Sequence, residues 1–431
     1  MPHTIPAVRS LLGAAVAGAL LIGSAQLSQA GAEAPALPSA PAAATSLATA
    51  GYAFTPADLR MRSALTSRAT TARFGTLFTG AVVDSASNTV VWRKSGDTAR
   101  LPASTNKLVT ASNALTLFGP DKKFTTTVRT TAEVNKVVVV GSGDPSLSSA
   151  QLDAMARTTA SYLAAKGVTS ARVFVDDDVF PVPTLAYGWK ASYVPDSITA
   201  VRGLVRDQRD LSDTSADVGR YVRDRLKAYG IPTVYYAGRT NAASGAATIA
   251  SSQGLPLSTS VSRMLLNSDN EIAEALHKQV GIALGYGASW SGARTAQAKA
   301  IAAQQLTTGA LYDGSGLSRA DRLSAVQLAR IVDRGIDPAT QTKLWPLKSG
   351  LPSAGRTGTL ASRFTTAASK CAVGRVWAKT GTLGAVVALA GYTTGTDGRV
   401  KAFAFVVNGK TSSTTLRQNV DMLAATVTGC Y

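Results

Sequence analysis

The sequence predicts an α+β fold: an antiparallel sheet flanked by helices, with a helical subdomain, split by one inserted α/β lobe. Three observations predict it. β-rich runs joined by turn residues stand at both ends of the chain, Thr76 to Asp84 with Thr89 to Trp92, and Val386 to Thr393 with Val400 to Val407. Amphipathic helical patterns lie beside them. Between the two ends, roughly residues 123 to 247, short apolar runs alternate with helical ones, which is the pattern of a separate α/β unit. With 431 residues the chain is long enough for two domains.

In chain order, Asp84-Ser85-Ala86-Ser87-Asn88 reads as the turn of the first hairpin. A helix is expected to open at Pro102 to Ser104, with Leu108, Ala111, Leu115 and Phe118 on its apolar face and Gly119-Pro120 as its stop. In the middle, Val137 to Val140 and Val173 to Val175 read as strands, and Gln151 to Lys166 and Asp217 to Tyr229 as helices. Thr394 to Arg399 joins the last two strands as a hairpin. Leu416, Val420, Leu423 and Val427 mark a closing amphipathic helix. The expected division is a signal at 1–30, an Ala/Pro-rich linker at 31–50, a main domain from 51–122 and 248–431, and the insert at 123–247.

The first 30 residues read as a secretory signal: Arg9, an apolar run from Leu11 to Ala25, then Ser28-Gln29-Ala30 for cleavage after Ala30. An uncleaved anchor is the alternative, and either places the body of the chain outside the cytoplasm. Cys371 and Cys430 are the two cysteines; in an exported chain they suggest one disulfide, with two free thiols as the alternative. They cannot form a structural zinc site without histidine, and no metal or cofactor is implied. The net charge of +18 favours anionic wall polymers or membrane surfaces as peripheral partners. A nucleic-acid role lacks an aromatic or Arg-rich recognition motif.

Histidine is scarce. The chain has His3, inside the signal, and His277, within the helical pattern Ile272, Leu276, Val280. His277 reads as a helix-surface or packing residue, so a hydrolase here must find its base elsewhere. Three short motifs supply one: Ser104-Thr105-Asn106-Lys107, Ser268-Asp269-Asn270, and Lys379-Thr380-Gly381 followed by Thr382. Each alone is weak; their order and settings make the set specific.

Ser104 and Lys107 share a helix face one turn apart. A serine hydroxyl needs a base, and Lys107 can act as one if burial and a nearby cation, Lys379, keep it neutral. Ser268 can relay the proton to a leaving amine. Asn270 can hold substrate backbone or orient Lys107. Lys379, Thr380 and Thr382 can bind a carboxylate, and Gly381 lets the strand come close to substrate. The N–H groups of Ser104 and Thr382 would form an oxyanion hole.

With these residues the chain resembles the class C low-molecular-mass penicillin-binding proteins. The likeness includes Lys379 to Leu383 with Ala388 to Tyr392, Asp313-Gly314-Ser315-Gly316-Leu317-Ser318-Arg319, Gly358-Thr359-Leu360 with Arg363, and Gly143-Asp144-Pro145. It implies a penicillin-binding/serine β-lactamase-like main domain and D-alanyl-D-alanine carboxypeptidase or endopeptidase activity on peptidoglycan stem peptides. It further implies acylation of Ser104 by substrate or by β-lactam inhibitors. Leu383 would line the substrate strand; Asp144 and Arg319 would help bind the stem peptide's side-chain end. The interval 268 − 104 = 164 is short for three-domain members, which implies a two-domain version. Two other readings stand beside this one. A β-lactamase would require a deacylating glutamate, and no E-x-x-L-N motif occurs. A binding module would hold wall peptide or antibiotic without turnover.

Overall fold

Period-two alternation sorts two strands near the chain's end between two cores. Ala388, Ala390, Ala402, Ala404 and Val406 face one core, while Val387, Leu389, Phe403, Phe405 and Val407 face the other. Small side chains on the first face let helices pack closely; phenylalanines fill the second. The computed structural model describes residues 52–307 and 309–431, so the expected signal and the whole of the expected linker lie outside the described residues.

The described strands are β1 (Phe78–Asp84), β2 (Thr89–Lys94), β3 (Thr125–Thr130), β4 (Lys136–Val140), β5 (Ser170–Asp176), β6 (Thr233–Arg239), β7 (Ala247–Gln253), β8 (Val376–Leu383), β9 (Val386–Thr394) and β10 (Val400–Asn408). The first sheet has the order β2-β1-β10-β9-β8 and is antiparallel throughout. Helices Lys107–Phe118, Leu257–Asn267, Asn270–Ala283 and Ala325–Arg334 contribute to the core on its alanine face. Helices Pro56–Arg68 and Thr414–Val427 cover the phenylalanine face. An α+β fold with a helical subdomain is what the sequence predicts.

The second sheet runs β6-β5-β4-β3-β7. Strands β4, β5 and β6 are parallel, and β3 pairs antiparallel with β4 and β7. Parallel neighbours need crossovers, and helices Ser149–Ala165 and Thr214–Ala228 lie in them. Their Leu152, Leu163, Val218 and Val222 pack on Val137, Val139, Val173 and Val175. Residue 247, where the sequence reading drew the insert's edge, is the first residue of β7, which pairs with β3 as far as Gln253.

A buried charge cluster ties the main domain's ends together. Lys401 of β10 donates to Asp58 Oδ1 at 2.8 Å and Asp84 Oδ2 at 2.6 Å, and lies 3.4 Å from Asp397 Oδ2. Burial pushes the Asp58 carboxyl up, but bonds from Lys401, Tyr52 and the Thr55 N–H outweigh it and hold it at about 2. Cys371 and Cys430 are joined in a disulfide that ties the segment before β8 to the chain's end. No described helix is long and apolar enough to cross a membrane.

Replacing Lys401 by methionine leaves two buried carboxylates without their cation and should cost about 3–5 kcal/mol in denaturant unfolding. Because Asp58 titrates near 2 folded against 3.8 as an ordinary carboxyl, its contribution is present above pH 4. It is lost as pH falls toward 2, so acid titration of the wild-type midpoint should steepen in that window.

Candidate active site

The expected helix from Pro102 divides in two. Residues Ala103–Asn106 form a 3₁₀ turn, and the α-helix begins at Lys107. Pro102 accepts the Thr105 hydroxyl at 2.7 Å, which tightens the turn. In a 3₁₀ turn residues i and i+3 eclipse, so Ser104 and Lys107 align more directly than in an α-helix. Ala103 has φ +50°, a strained value for alanine, and Gly316 is why that backbone can sit where it does. A Cβ on Gly316 would lie 2.0 Å from the Ala103 carbonyl oxygen.

Lys107 is fully buried. Its Nζ lies 3.2 Å from Ser104 Oγ, 2.7 Å from Asn270 Oδ1 and 2.8 Å from the Ser315 carbonyl. A neutral amine can donate to the last two and turn its lone pair to the serine hydroxyl. Burial lowers the Lys107 pKa to about 8, against the opposing pull of Glu274, Asp313, Asp269 and Glu271.

Lys379 stands beside this cluster. It too is fully buried; its Nζ donates to Ser268 Oγ at 2.9 Å and to the Thr380 carbonyl at 2.7 Å. Burial and then the nearby Lys107 lower the Lys379 pKa, so desolvation is the main cause for both amines. Its bonds direct the amine to Ser268.

Ser268 closes one helix at φ +63° and Asp269 opens the next by accepting the Ile272 N–H at 2.8 Å. The non-glycine left-handed residue turns the serine toward Lys379. Asn270 uses both ends of its amide: Oδ1 takes Lys107, and Nδ2 donates to the Ser197 carbonyl at 2.6 Å. That favours orienting Lys107 over holding substrate.

The Lys-Thr-Gly motif sits inside β8, an edge strand. Gly381 also serves the packing. It is buried, and a Cβ there would lie 2.7 Å from the Pro102 carbonyl, so glycine lets β8 approach the turn that carries Ser104. Thr380 Oγ1 bonds Thr359 Oγ1 at 2.9 Å. Ser104, Ser268, Thr359, Thr380 and Thr382 line one cleft of about 480 Å³.

The remaining expected residues lie elsewhere. Leu383 packs among Trp189, Tyr193 and Leu317. Arg319 donates to the Tyr193 hydroxyl at 3.2 Å, on the loop that carries Ser315. Asp144 is buried outside this cleft; it accepts the Ser146 N–H at 2.8 Å and hydroxyl at 2.7 Å. His277 is a buried packing residue against Trp290, and burial drops its pKa to about 3.

Sequence reasoning missed Glu274 and the Ser315 carbonyl. Fully buried Glu274 accepts the Gly314 and Ser315 N–H groups at 2.9 and 2.7 Å and so fixes the carbonyl that meets Lys107. Its place four residues after Asn270, on the same helix face, was the available signal. A backbone carbonyl leaves no such trace.

Residues 61–201 and 200–427 match the profile of the D-Ala-D-Ala carboxypeptidase 3 (S13) family. The chain is 32% identical over 444 residues to carboxypeptidase DacB of Mycolicibacterium smegmatis, covering 98% of this chain and 96% of that one. It is 27% identical over 425 residues to a D-alanyl-D-alanine carboxypeptidase of an Actinomadura species, covering 76% and 77%. Among solved structures it resembles penicillin binding protein 4 (dacB) from Haemophilus influenzae, with TM-score 0.71, 20% identity and coverage of 84% and 97%.

Two outcomes follow from the Lys107 geometry. The rate of Ser104 acylation should rise with pH along a limb near 8, as Lys107 loses its proton; stopped-flow acylation against pH checks this. Burial raises the Glu274 carboxyl to about 8, so on the alkaline side of that limb, where it is ionised, Glu274→Gln puts an amide donor against a buried N–H and should slow acylation about tenfold to a hundredfold, measured under the same conditions.

Proposed function

The chain belongs to the D-Ala-D-Ala carboxypeptidase 3 (S13) family, and we propose that it is a serine D-alanyl-D-alanine carboxypeptidase acting through an acyl-enzyme on Ser104. The observation that carries this reading is the Lys107 amine, buried and bonded between Ser104, Asn270 and the Ser315 carbonyl. A neutral amine placed there can take the serine proton as the hydroxyl oxygen attacks the carbonyl of the penultimate D-alanine.

The N–H groups of Ser104 and Thr382 hold the resulting oxyanion. Ser268, bonded to Lys379, gives its proton to the amine of the last D-alanine as the peptide bond breaks and is reprotonated by the Lys107 ammonium, which leaves Lys107 neutral again. The hydroxyls of Thr380 and Thr382 hold that residue's carboxylate. Water, deprotonated by Lys107, then attacks the ester, returns the proton to Ser104 and frees the shortened stem peptide. Beyond Ala378, whose N–H donates to the Pro352 carbonyl, edge strand β8 offers backbone along which an extended peptide can lie.

A cross-link between two stem peptides presents the same bond, so endopeptidase cleavage uses the same centre. β-Lactams acylate Ser104 in place of the peptide; a structure of the Haemophilus protein carries such a compound. The N-terminal sequence and the disulfide support an address outside the cytoplasm. The net charge of +18 suits residence beside anionic wall or membrane surfaces.

Intact-mass measurement after benzylpenicillin should show one adduct on the wild type and none on Ser104→Ala. Wild type should release D-alanine from an acyl-D-Ala-D-Ala peptide, and Lys107→Ala should lower that rate about 10²- to 10⁴-fold. An adduct that persists in Ser104→Ala would refute the assignment.

A further inference from the structure

The cleft does not end at the β8 threonines. It continues past Thr359 to the 362–365 segment and the first turns of the Thr414–Val427 helix. Two guanidinium groups line that extension, and they differ. Arg363 is committed: it holds Asp421 through two bonds of 2.9 and 2.7 Å and also donates to the Arg417 carbonyl. Arg417 forms no ion pair with any described residue. Its contacts are long ones to hydroxyls, 3.4 Å to Ser412 Oγ and 3.5 Å to Thr414 Oγ1.

The other cations of the site cannot serve a ligand there. Lys107 and Lys379 are fully buried and bonded within the catalytic cluster. Arg417 is thus the cation of the cleft wall left available to an anion among the described residues. A guanidinium is also the side chain whose geometry matches a carboxylate fork. A cleft of about 480 Å³ holds more than one alanine residue.

We infer that Arg417 forms a leaving-side subsite for an acidic group carried by the residue or peptide that departs from Ser104. This rests on the carboxypeptidase reading above. If Thr380 and Thr382 hold the α-carboxylate of the leaving residue, what lies beyond them meets that residue's side chain and whatever is attached to it. The enzyme then favours leaving groups extended by a carboxylate, as the second peptide of a cross-link can be, over the same groups extended by an amine.

Three acyl-tripeptides ending in D-Ala-D-Ala, D-Ala-D-Glu and D-Ala-D-Lys test this. The quantity read is the ratio of kcat/KM for the D-Glu substrate to that for D-Lys, measured within one protein preparation so that partial unfolding cancels. Wild type should give a ratio of about five, the upper range for an ion pair open to solvent. Arg417→Gln should bring it near one and Arg417→Glu should invert it. A ratio unchanged in both variants overturns the inference and leaves the carboxypeptidase reading intact. Failure of the wild type to release any of the three leaving residues would overturn both.

Discussion

Placing an amine in the protein interior next to a serine is the constraint on which the rest of this structure depends. A buried lysine is costly unless its protons find acceptors. Lys107 meets three oxygens, and they come from three parts of the chain: its own turn, the start of the Asn270–Ala283 helix and the loop at Ser315. Each part must be held to within a fraction of an ångström for the amine to be both satisfied and basic. Much of the unusual backbone around the cleft follows from that requirement.

The strained positions mark where the fold yields to the site. Ala103 and Ser268 both adopt positive φ, and both flank or carry a serine of the cleft. Gly381 and Gly316 remove the side chains that would keep β8 and the Asp313 loop away from the Ser104 turn. The loop itself is turned inward by Asp313, which accepts the Gly316 N–H at 2.8 Å and the Ser318 N–H at 2.7 Å. Alanines on one face of β9 and β10 allow the Ala325–Arg334 helix to lie close to the sheet, and the helix bearing Lys107 packs behind it.

The insert touches this centre at defined points. The Ser197 carbonyl takes the second half of the Asn270 amide, and Trp189 donates to Asp313 Oδ2 at 2.7 Å. Both contacts steady groups that in turn meet or frame Lys107. Asp144, by contrast, uses Oδ1 in a local turn and leaves its buried Oδ2 without a partner among the described residues. The insert therefore bears on the reaction through positions that carry no motif, while its one motif-like aspartate stays outside the cleft.

The alternation of apolar residues marked the outer hairpins and the closing helix, because a period of two or 3.6 is set by local backbone geometry. The three motifs picked out side chains that the fold brings together, Ser104, Lys107, Ser268, Asn270 and Lys379, because chemistry fixes residue type. Sequence could not show that the Lys-Thr-Gly run is an edge strand, since residues outside the run decide pairing: Lys379 lies opposite Ala390 and Gly381 opposite Ala388. Nor could it show that desolvation dominates the Lys107 pKa, that Lys379 is bonded to Ser268, or that Arg417 faces the same cleft as Ser104. Burial, hydrogen-bond partners and the absence of an ion pair are properties of how distant segments meet, and local sequence does not encode them.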